Sequence, residues 1–347
     1  MLRSLLSALA LILLPYAARA NDPAVRIVKG ETELELHAGT EMVAKYQYAG
    51  TVRVEKGDGT KPLAKPFFWP LNAPGGVPVT RAYPMVRGTT GETTDHFHQK
   101  SGWFCHGDVI PEGLTLAVKS SDKHVQGVDF WSETPGHGRI VCTDVGAPKT
   151  TSGVHASIAT TNEWRAPDGQ KVLDESRTIH LVQFPAGRLI VLDIELTASV
   201  CPITFGDTKE GAMGVRVNDA IRAEPKAKTG GVLANSAGKS GEKDVWGYEA
   251  DWCDYSGTID GKAAGIAVFD APTNPDRSAW HARGYGLMAA NPFGRDHSGF
   301  PSRKGKTDLV KIAKGDKLKL RYGIYTHTGD AAAGGVASAY KTFAEMK

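Results

Sequence analysis

The sequence feature that most constrains the fold is an alternation of polar and apolar residues that recurs along the chain. It is clearest at residues 32–37, 188–196 and 317–322, where apolar side chains return with a period of two. Successive side chains of a β-strand point to opposite faces, so this period is typical of strands. Residues 154–164 and 178–184 are rich in β-branched and aromatic residues, which also favour strands. The sequence therefore predicts a mostly β-sheet protein.

Turn-forming residues separate the strand-like segments. The chain contains 40 glycines and 19 prolines, and the Pro-Asp-Gly at 167–169 favours a hairpin turn between two of these segments. Only residues 331–347 have apolar residues at a helical spacing. Many strands without intervening helices favour an antiparallel arrangement. We therefore predict an all-β fold, a large antiparallel β-sandwich of which a mutarotase-like supersandwich is one form, with a short C-terminal helix.

The N-terminus has the pattern of a cleavable signal peptide. Arg3 supplies a positive charge, residues 5–14 form a short apolar segment, and residues 18–20 read Ala-Arg-Ala, which signal peptidase recognises. A membrane-spanning helix needs about 20 apolar residues, whereas Pro15 interrupts the apolar segment much earlier. The pattern therefore favours export over a membrane anchor.

Cleavage after Ala20 would divide the chain into a signal peptide, residues 1–20, and one β-sandwich domain, residues 21–347, which we expect to be periplasmic or secreted. The leader removes two of the 41 basic residues, so 39 would face 38 acidic ones and leave a formal charge of +1. A near-neutral chain has no electrostatic footprint for nucleic acid. No later segment approaches 18 uninterrupted apolar residues, so we expect no membrane span after cleavage.

The four cysteines are widely spaced and form no C-x-x-C motif, which argues against a zinc ribbon or a thioredoxin-type site. In an exported protein disulfides are permitted but not required. Four cysteines allow three pairings, so the connectivity stays open, and free thiols are the alternative. The cysteines are Cys105, Cys142, Cys201 and Cys253.

The densest group of polar and aromatic residues lies at positions 94–108. If this segment is a strand, His96 and His98 point to the same face with Cα atoms about 7 Å apart. Two imidazoles so placed could bind one divalent metal such as zinc or manganese, completed by His106 or Asp108. The alternative is a structural role for these histidines.

The same segment also suggests chemistry without a metal. Histidines titrate near neutral pH, so His106 would transfer a proton while Asp95 or Asp108 orients the imidazole. Trp103 would provide a flat surface against which a sugar ring stacks. Packing in the core is the alternative for this aromatic residue.

A second group lies at residues 278–294. On a strand, His281, Arg283 and Tyr285 would share one face. A histidine beside an arginine can combine acid–base chemistry with stabilisation of developing negative charge. The pair can also donate hydrogen bonds to a carboxylate or a sugar hydroxyl.

A third group lies at residues 206–217. Glu210 beside a glycine suits an exposed loop carboxylate, and Arg216 follows on a predicted strand. The two residues would serve the same reaction. The alternative is a surface ion pair, which contributes under about 1 kcal/mol.

Several of these motifs, in one order, resemble the exported bacterial proteins called the PmoA-like family. Members usually read D-H-P-H-H-R where this chain has Asp95-His96-Phe97-His98-Gln99-Lys100. The resemblance implies a connection with bacterial breakdown of sugars and glycans. It does not imply methane oxidation, because a membrane monooxygenase subunit needs spanning helices. The matching stretches, within residues 25–327, are 65–71, 76–81, 95–108, 127–131, 207–216 and 280–294.

Together these observations predict a periplasmic carbohydrate-active enzyme that uses histidine and carboxylate acid–base chemistry on a glycoside or sugar derivative, as a hydrolase, lyase or epimerase. The alternatives are a non-catalytic glycan-binding module and a metal-dependent enzyme that uses the His96, His98 and His106 cluster. The predicted partner is a carbohydrate, and the one cofactor considered is a divalent metal at His96 and His98. The residues assigned to catalysis are His106, His281, Glu210, Asp95, Arg283 and Arg216. The residues assigned to substrate binding are Trp103, Trp280, Tyr285, Arg81 and Asp108.

Overall fold

The computed structural model describes residues 24–151 and 153–346. The expected signal peptide, residues 1–20, lies outside the described residues. The first eleven strands are β1 (Val25–Lys29), β2 (Glu33–Ala38), β3 (Glu41–Gln47), β4 (Thr51–Arg53), β5 (Thr60–Pro62), β6 (Phe67–Ala73), β7 (Val77–Pro78), β8 (Gly102–His106), β9 (Val109–Pro111), β10 (Arg139–Val145) and β11 (Lys149–Thr151).

Twelve more strands follow in the described part of the chain. They are β12 (His155–Arg165), β13 (Lys171–Gln183), β14 (Gly187–Thr197), β15 (Ile203–Phe205), β16 (Gly211–Arg216), β17 (Val232–Asn235), β18 (Trp252–Ile259), β19 (Lys262–Asp270), β20 (Ala279–Trp280), β21 (Leu287–Asn291), β22 (Val310–Ile312) and β23 (Lys317–Thr328). The α-helices are α1 (Glu242–Val245) and α2 (Val336–Glu345). Short 3-10 helices lie at Asp219–Ile221, Pro225–Ala227, Asp296–Ser298 and Pro301–Arg303.

Two nine-stranded sheets dominate the described structure. The first has the order β1-β2-β3-β6-β8-β16-β21-β20, with β7 paired to β6. The second has the order β10-β12-β13-β14-β23-β19-β18-β17, with β11 paired to β12. Smaller sheets are β22-β15-β9 and β4-β5. Neighbouring strands run antiparallel, as in the β8–β16, β16–β21 and β14–β23 pairs. The predicted large antiparallel β-sandwich is therefore confirmed.

A hydrophobic core fills the space between the two large sheets. The largest fully buried side chains of the described structure are four tryptophans, of which Trp103 on β8 lies edge-on to Trp131 with ring centroids 5.0 Å apart. Phe104, the next residue along β8, packs against Trp164 of the second sheet, and the two ring centroids are 6.1 Å apart. Each buried aromatic ring removes about 150–250 Å² from water. The fully buried tryptophans are Trp103, Trp131, Trp164 and Trp280.

Helix α2 covers the outer face of the second sheet. Its Phe343 packs on Phe269 of β19, with ring centroids 5.5 Å apart. This contact explains the burial of β14 on both faces, since Ile190 joins the core between the sheets while Val191 joins the cluster beneath the helix. The helical pattern near the C-terminus therefore predicted an element that closes a second, smaller core.

The described structure bears on two further expectations. All four cysteines are free thiols, with Cys105 and Cys253 buried. No helix among residues 24–151 and 153–346 has the length and apolar character required to cross a membrane.

Truncating the helix anchor tests this second core. Phe343→Ala should lower the free energy of unfolding by about 3–5 kcal/mol, because the buried ring leaves a cavity against Phe269. Urea denaturation measures this change. Lys341→Ala, on the exposed face of the same helix, should change stability by less than about 0.5 kcal/mol. Equal effects of the two substitutions would contradict the packing described here.

Candidate functional site

A cleft with a cavity volume of about 460 Å³ opens beside the first sheet. Residues from segments 96–108, 207–210 and 281–285 line it, together with residues from 122–132 and 297–298. The three segments singled out in the sequence therefore lie around one cavity. Its histidines are His96, His98, His124, His281 and His297, and its carboxylates are Asp108, Asp122, Asp129, Asp207 and Glu210.

The strand order of the first sheet explains why these segments meet. Strand β16 lies between β8 and β21, so that His106 pairs with Gly211, and Met213 pairs with Ala290. The segments at the ends of three adjacent strands must therefore come together. A Cβ on Gly211 would lie 2.5 Å from Nδ1 of His106, so this close approach requires glycine.

Two fully buried arginines hold Asp95 beside the cleft. Arg81 Nη1 donates to Asp95 Oδ1 at 2.5 Å, and Arg216 Nη2 donates to the same oxygen at 2.9 Å. Burial by itself would raise the pKa of Asp95, but the hydrogen bond from His96 and the positive charges of Arg216 and Arg81 lower it well below its usual value. Asp95 is therefore ionised near neutral pH.

Asp95 in turn orients His96. The His96 Nδ1–H donates to Asp95 Oδ2 at 2.8 Å, because an ionised carboxylate can only accept. The proton on Nδ1 leaves Nε2 with a lone pair that can accept a proton. The His96 side chain is 38% exposed and lines the cleft. Asp95 and His96 thus form an oriented carboxylate–imidazole pair.

The expectation that His96 and His98 lie on a strand is wrong. Both lie in the loop before β8, and His96 has a positive φ of 46°. A strand requires a negative φ, so the two side chains do not alternate as on a sheet; their ring centroids are 5.9 Å apart with planes at 77°. Among residues 24–151 and 153–346, no three His, Cys, Asp or Glu side chains are placed to hold a metal ion.

Tyr285 forms the wall of the cleft next to His96. The two rings are stacked, with centroids 4.9 Å apart and planes at 15°. The guanidinium of Arg216 lies 4.5 Å from the Tyr285 ring centroid on a cation–π contact. Gln99 bridges the same groups, because its Oε1 accepts from Arg216 at 2.8 Å and its Nε2 donates to the Tyr285 hydroxyl at 3.5 Å. Sequence reasoning missed Gln99, since nothing near it in the chain indicates a bridge to residues more than 100 positions away.

Glu210 lies in the cleft with 32% of its side chain exposed. Desolvation by burial raises the pKa of this carboxyl to about 7, although the charge of Lys209 opposes the shift. Glu210 is thus a carboxylic acid that is substantially protonated near neutral pH. That state suits a general acid.

His281 lies against Glu210, with its Nδ1 4.0 Å from Glu210 Oε2. Burial, together with the positive charges of Lys209 and Arg283, lowers the pKa of His281 to about 3. The imidazole is therefore neutral, and its Nδ1 has no hydrogen-bond partner within the described structure. This unpartnered nitrogen is itself buried at the cleft wall.

Two other predicted residues also line the cleft. Arg283 is one-third exposed, and its Nε lies 3.0 Å from Glu242 Oε1. Asp108 is buried, and its Oδ1 accepts hydrogen bonds from the backbone N–H groups of Gln126 and Gly127 at 3.1 and 2.7 Å. Asp108 therefore fixes a loop of the cleft wall as well as lining it.

Four residues that were predicted to contact the substrate are fully buried in the structure and do not reach the cleft. Arg81 and Arg216 are 0% exposed and are occupied by Asp95. Trp103 and Trp280 are fully buried, and the Nε1 of Trp280 donates to the Ala250 carbonyl at 3.0 Å. None of the four lines the cleft. Local sequence does not distinguish a buried aromatic or arginine from one at a binding surface.

The predicted catalytic roles of His106 and Asp95 are corrected as well. His106 is 1% exposed, its Nε2–H donates to the Gly206 carbonyl at 2.9 Å, and burial lowers its pKa to about 4. It supports the cleft from beneath and does not face it. Asp95 remains ionised, so its part is to position His96, and it does not itself exchange protons near neutral pH.

Comparison with known structures gives weak likenesses. Two structures of a glycoside hydrolase family 97 enzyme from Pseudoalteromonas sp. strain K8, one of them in complex with panose, match with TM-scores of 0.33 and 0.32 and 14% identity. Each match covers 60% of this chain and 30% of the other. The chain thus aligns with less than a third of those enzymes.

Comparison of sequences identifies a different family from the one expected. No functionally curated protein matches the chain. The interpretation of the motifs as PmoA-like is wrong, because the family profile that matches, over residues 33–341, is that of a family of unknown function, DUF6807. That match covers most of the sequence. The chain therefore belongs to the DUF6807 family.

Proposed function

We propose that the protein is an enzyme that performs acid–base chemistry on a sugar or glycoside in this cleft. The observation that carries the proposal is the presence, in one cavity, of an imidazole oriented by an ionised carboxylate and a carboxyl with a raised pKa. Opposite protonation states at one pH are what paired acid and base catalysis requires.

The two groups have distinct roles in this proposal. His96 Nε2 takes a proton from the substrate or from a water molecule. Glu210 gives its proton to the leaving or accepting oxygen, and exchange with solvent then resets both groups. This proton balance fits a hydrolase, a lyase or an epimerase. Arg283, which also lines the cleft, would stabilise negative charge that develops during the reaction.

The shape and lining of the cleft support a carbohydrate as substrate. A cavity of about 460 Å³ falls in the range of small-molecule sites. Its histidines, carboxylates and Lys209 offer both donors and acceptors, which suits a ligand with many hydroxyl groups. The stacked rings of His96 and Tyr285 add a flat surface at one end. A polar ligand of one or two sugar units is therefore the best chemical match.

Removal of either proposed proton-transfer group tests the enzyme assignment. His96→Asn and Glu210→Gln should each lower kcat by about 10²–10⁴-fold with a smaller effect on KM, measured as product release from a panel of oligosaccharides and aryl glycosides. The wild-type kcat should fall as the pH rises above about 7, where Glu210 ionises, and Glu210→Gln should lack this decline.

The chain provides a matched control for the histidine variant. His180 on β13 also pairs with a carboxylate, 3.0 Å from Asp193 Oδ2, on the outer face of the second sheet. His180→Asn should retain wild-type turnover. If the wild type turns over no sugar, yet it and both cleft variants bind glycan equally well, the protein is a glycan-binding module and the enzyme assignment is wrong.

The raised pKa of Glu210 also predicts a pH dependence of stability. A carboxyl whose pKa rises on folding, here from 4.5 to about 7, contributes stability that is fully present below about pH 4.5 and is lost as the pH rises through about 7. Between pH 5 and pH 8, the free energy of unfolding of the wild type should fall by about 2 kcal/mol more than that of Glu210→Gln, a figure reduced for the partial exposure of the side chain. Urea denaturation at both pH values measures the difference, and Glu31→Gln, at an exposed residue between β1 and β2, should behave like wild type. Parallel changes in wild type and Glu210→Gln would disprove the shift.

We further propose that the protein acts in the periplasm or outside the cell, on the basis of the N-terminal pattern. Expression of the full chain in a Gram-negative host should yield a mature protein in the periplasmic fraction that begins at Asn21. N-terminal sequencing checks this. A product that retains Met1 and remains in the cytoplasmic fraction would contradict export.

A further inference from the structure

A second pocket, of about 320 Å³, lies between the β4–β5 hairpin and the first sheet and has a lining distinct from that of the cleft. Arg53 of β4, Trp69 of β6 and Met85 line it, and Lys100 forms part of its wall. None of these residues lines the cleft that holds Glu210. The second pocket is therefore a candidate for a separate binding site.

Behind the pocket wall, three lysines share one buried carboxylate. The Nζ atoms of Lys100, Lys61 and Lys65 lie 2.5, 3.1 and 3.2 Å from oxygens of Glu133. The side chains of Lys65, Lys100 and Glu133 are at most 2% exposed. Three ammonium groups against one carboxylate leave excess positive charge where solvent screens it poorly.

Lys100 has hydrogen-bonding capacity that its neighbours do not use. Its ammonium has three protons to donate, and Glu133 Oε1 is its only hydrogen-bond acceptor within the described structure. Burial lowers the pKa of Lys100 to about 8, although Glu133 opposes the shift. Lys100 therefore remains mostly protonated at pH 7. Its ammonium also lies 4.6 Å from the Phe97 ring centroid, and its side chain forms part of the pocket wall, so its positive charge favours an anion in the pocket.

Arg53 supplies a second positive charge on the other side of the pocket. It is exposed and has no ion-pair or hydrogen-bond partner among residues 24–151 and 153–346. The one carboxylate that lines the pocket, Glu33, is already paired, with Lys45 Nζ at 2.6 Å and Gln47 Nε2 at 2.9 Å. The cations of the pocket are thus unpaired or in excess, whereas its anion is neutralised.

The remaining wall is apolar. Trp69 is partly exposed and Phe67 is buried beside it on β6, while Met85 and Pro84 close another side. A partly exposed indole beside cationic donors can cover the flat, weakly polar face of a ring. The pocket therefore combines a place for an anionic group with a place for a ring.

From this arrangement we infer that the second pocket binds a small organic acid with a ring, of the uronic acid class, with its carboxylate between Arg53 and Lys100 and its ring face on Trp69. A guanidinium recognises a carboxylate with two parallel hydrogen bonds. The bound carboxylate also compensates the excess charge around Glu133. This site is independent of the acid–base function proposed for the cleft.

Calorimetric titration of the full-length protein at pH 7 with D-glucuronate, D-glucose and inorganic sulfate tests the inference. Glucuronate should bind, glucose should bind at least about tenfold more weakly because it lacks the carboxylate, and sulfate should compete with glucuronate without matching its affinity. Arg53→Ala should weaken glucuronate binding about tenfold or more. Lys319→Gln, at a lysine whose side chain is 79% exposed on β23, should bind like wild type.

The location of the bound ligand is tested by fluorescence. Glucuronate should change the emission of the wild type, and Trp69→Phe should abolish that change while retaining most of the affinity. Arg53 is exposed, and Trp69→Phe keeps an aromatic ring at a partly exposed position of β6, so both variants should fold. Lys100→Met serves as a third variant if its circular dichroism is native. Equal binding of glucose and glucuronate, or unchanged affinity in Arg53→Ala, would overturn the inference, as would a signal that persists in Trp69→Phe.

Discussion

The cleft depends on a buried charge arrangement in which two arginines share one carboxylate. Arg216 is fixed in strand β16 at the centre of the first sheet, and Arg81 donates its backbone N–H to the Arg216 carbonyl at 3.2 Å. Both guanidiniums are fully buried and would be strongly destabilising without a partner. Asp95 accepts a hydrogen bond from each of them and supplies the opposite charge. The ion pairs of Asp95 with these arginines therefore hold the loop before β8 against the sheet. The same loop carries His96, which is thereby positioned in the cleft.

The same arrangement separates the protonation states of neighbouring groups. Asp95 faces two positive charges and stays ionised, whereas Glu210 loses solvent without gaining a hydrogen-bonded cation, so its pKa rises to about 7. His281 is buried among positive charges and stays neutral. Each shift follows from what surrounds the group, so that near neutral pH an ionised carboxylate and a substantially protonated carboxyl lie in the same region of the structure.

Local pattern predicted the sheet content well, because alternation reports which face of a strand is buried. Residues 188–196 are predicted as a strand and lie in β14, and the Pro-Asp-Gly at 167–169 connects β12 to β13 as expected. The pattern could not show that β14 is buried on both faces, because that depends on the docking of α2.

The site was only partly predictable for a related reason. The segments that carry Glu210, His281 and Tyr285 could be identified from their composition, and the structure places them around one cavity. The role of each residue depends on how deeply its side chain is buried and on hydrogen-bond partners that are far away in the sequence. The sequence reveals neither. Trp103 is in the core for this reason, and His96 is oriented by a carboxylate that two distant arginines hold.

Ionised Asp95 holds the proton of His96 on Nδ1 and leaves Nε2 free to accept a proton. Long-range proton–nitrogen NMR of the full-length protein, with the His96 signal assigned through His96→Asn, measures this tautomer directly. The neutral ring should carry its proton on Nδ1, and Asp95→Asn should remove this preference. A neutral His96 protonated on Nε2 in the wild type would contradict it.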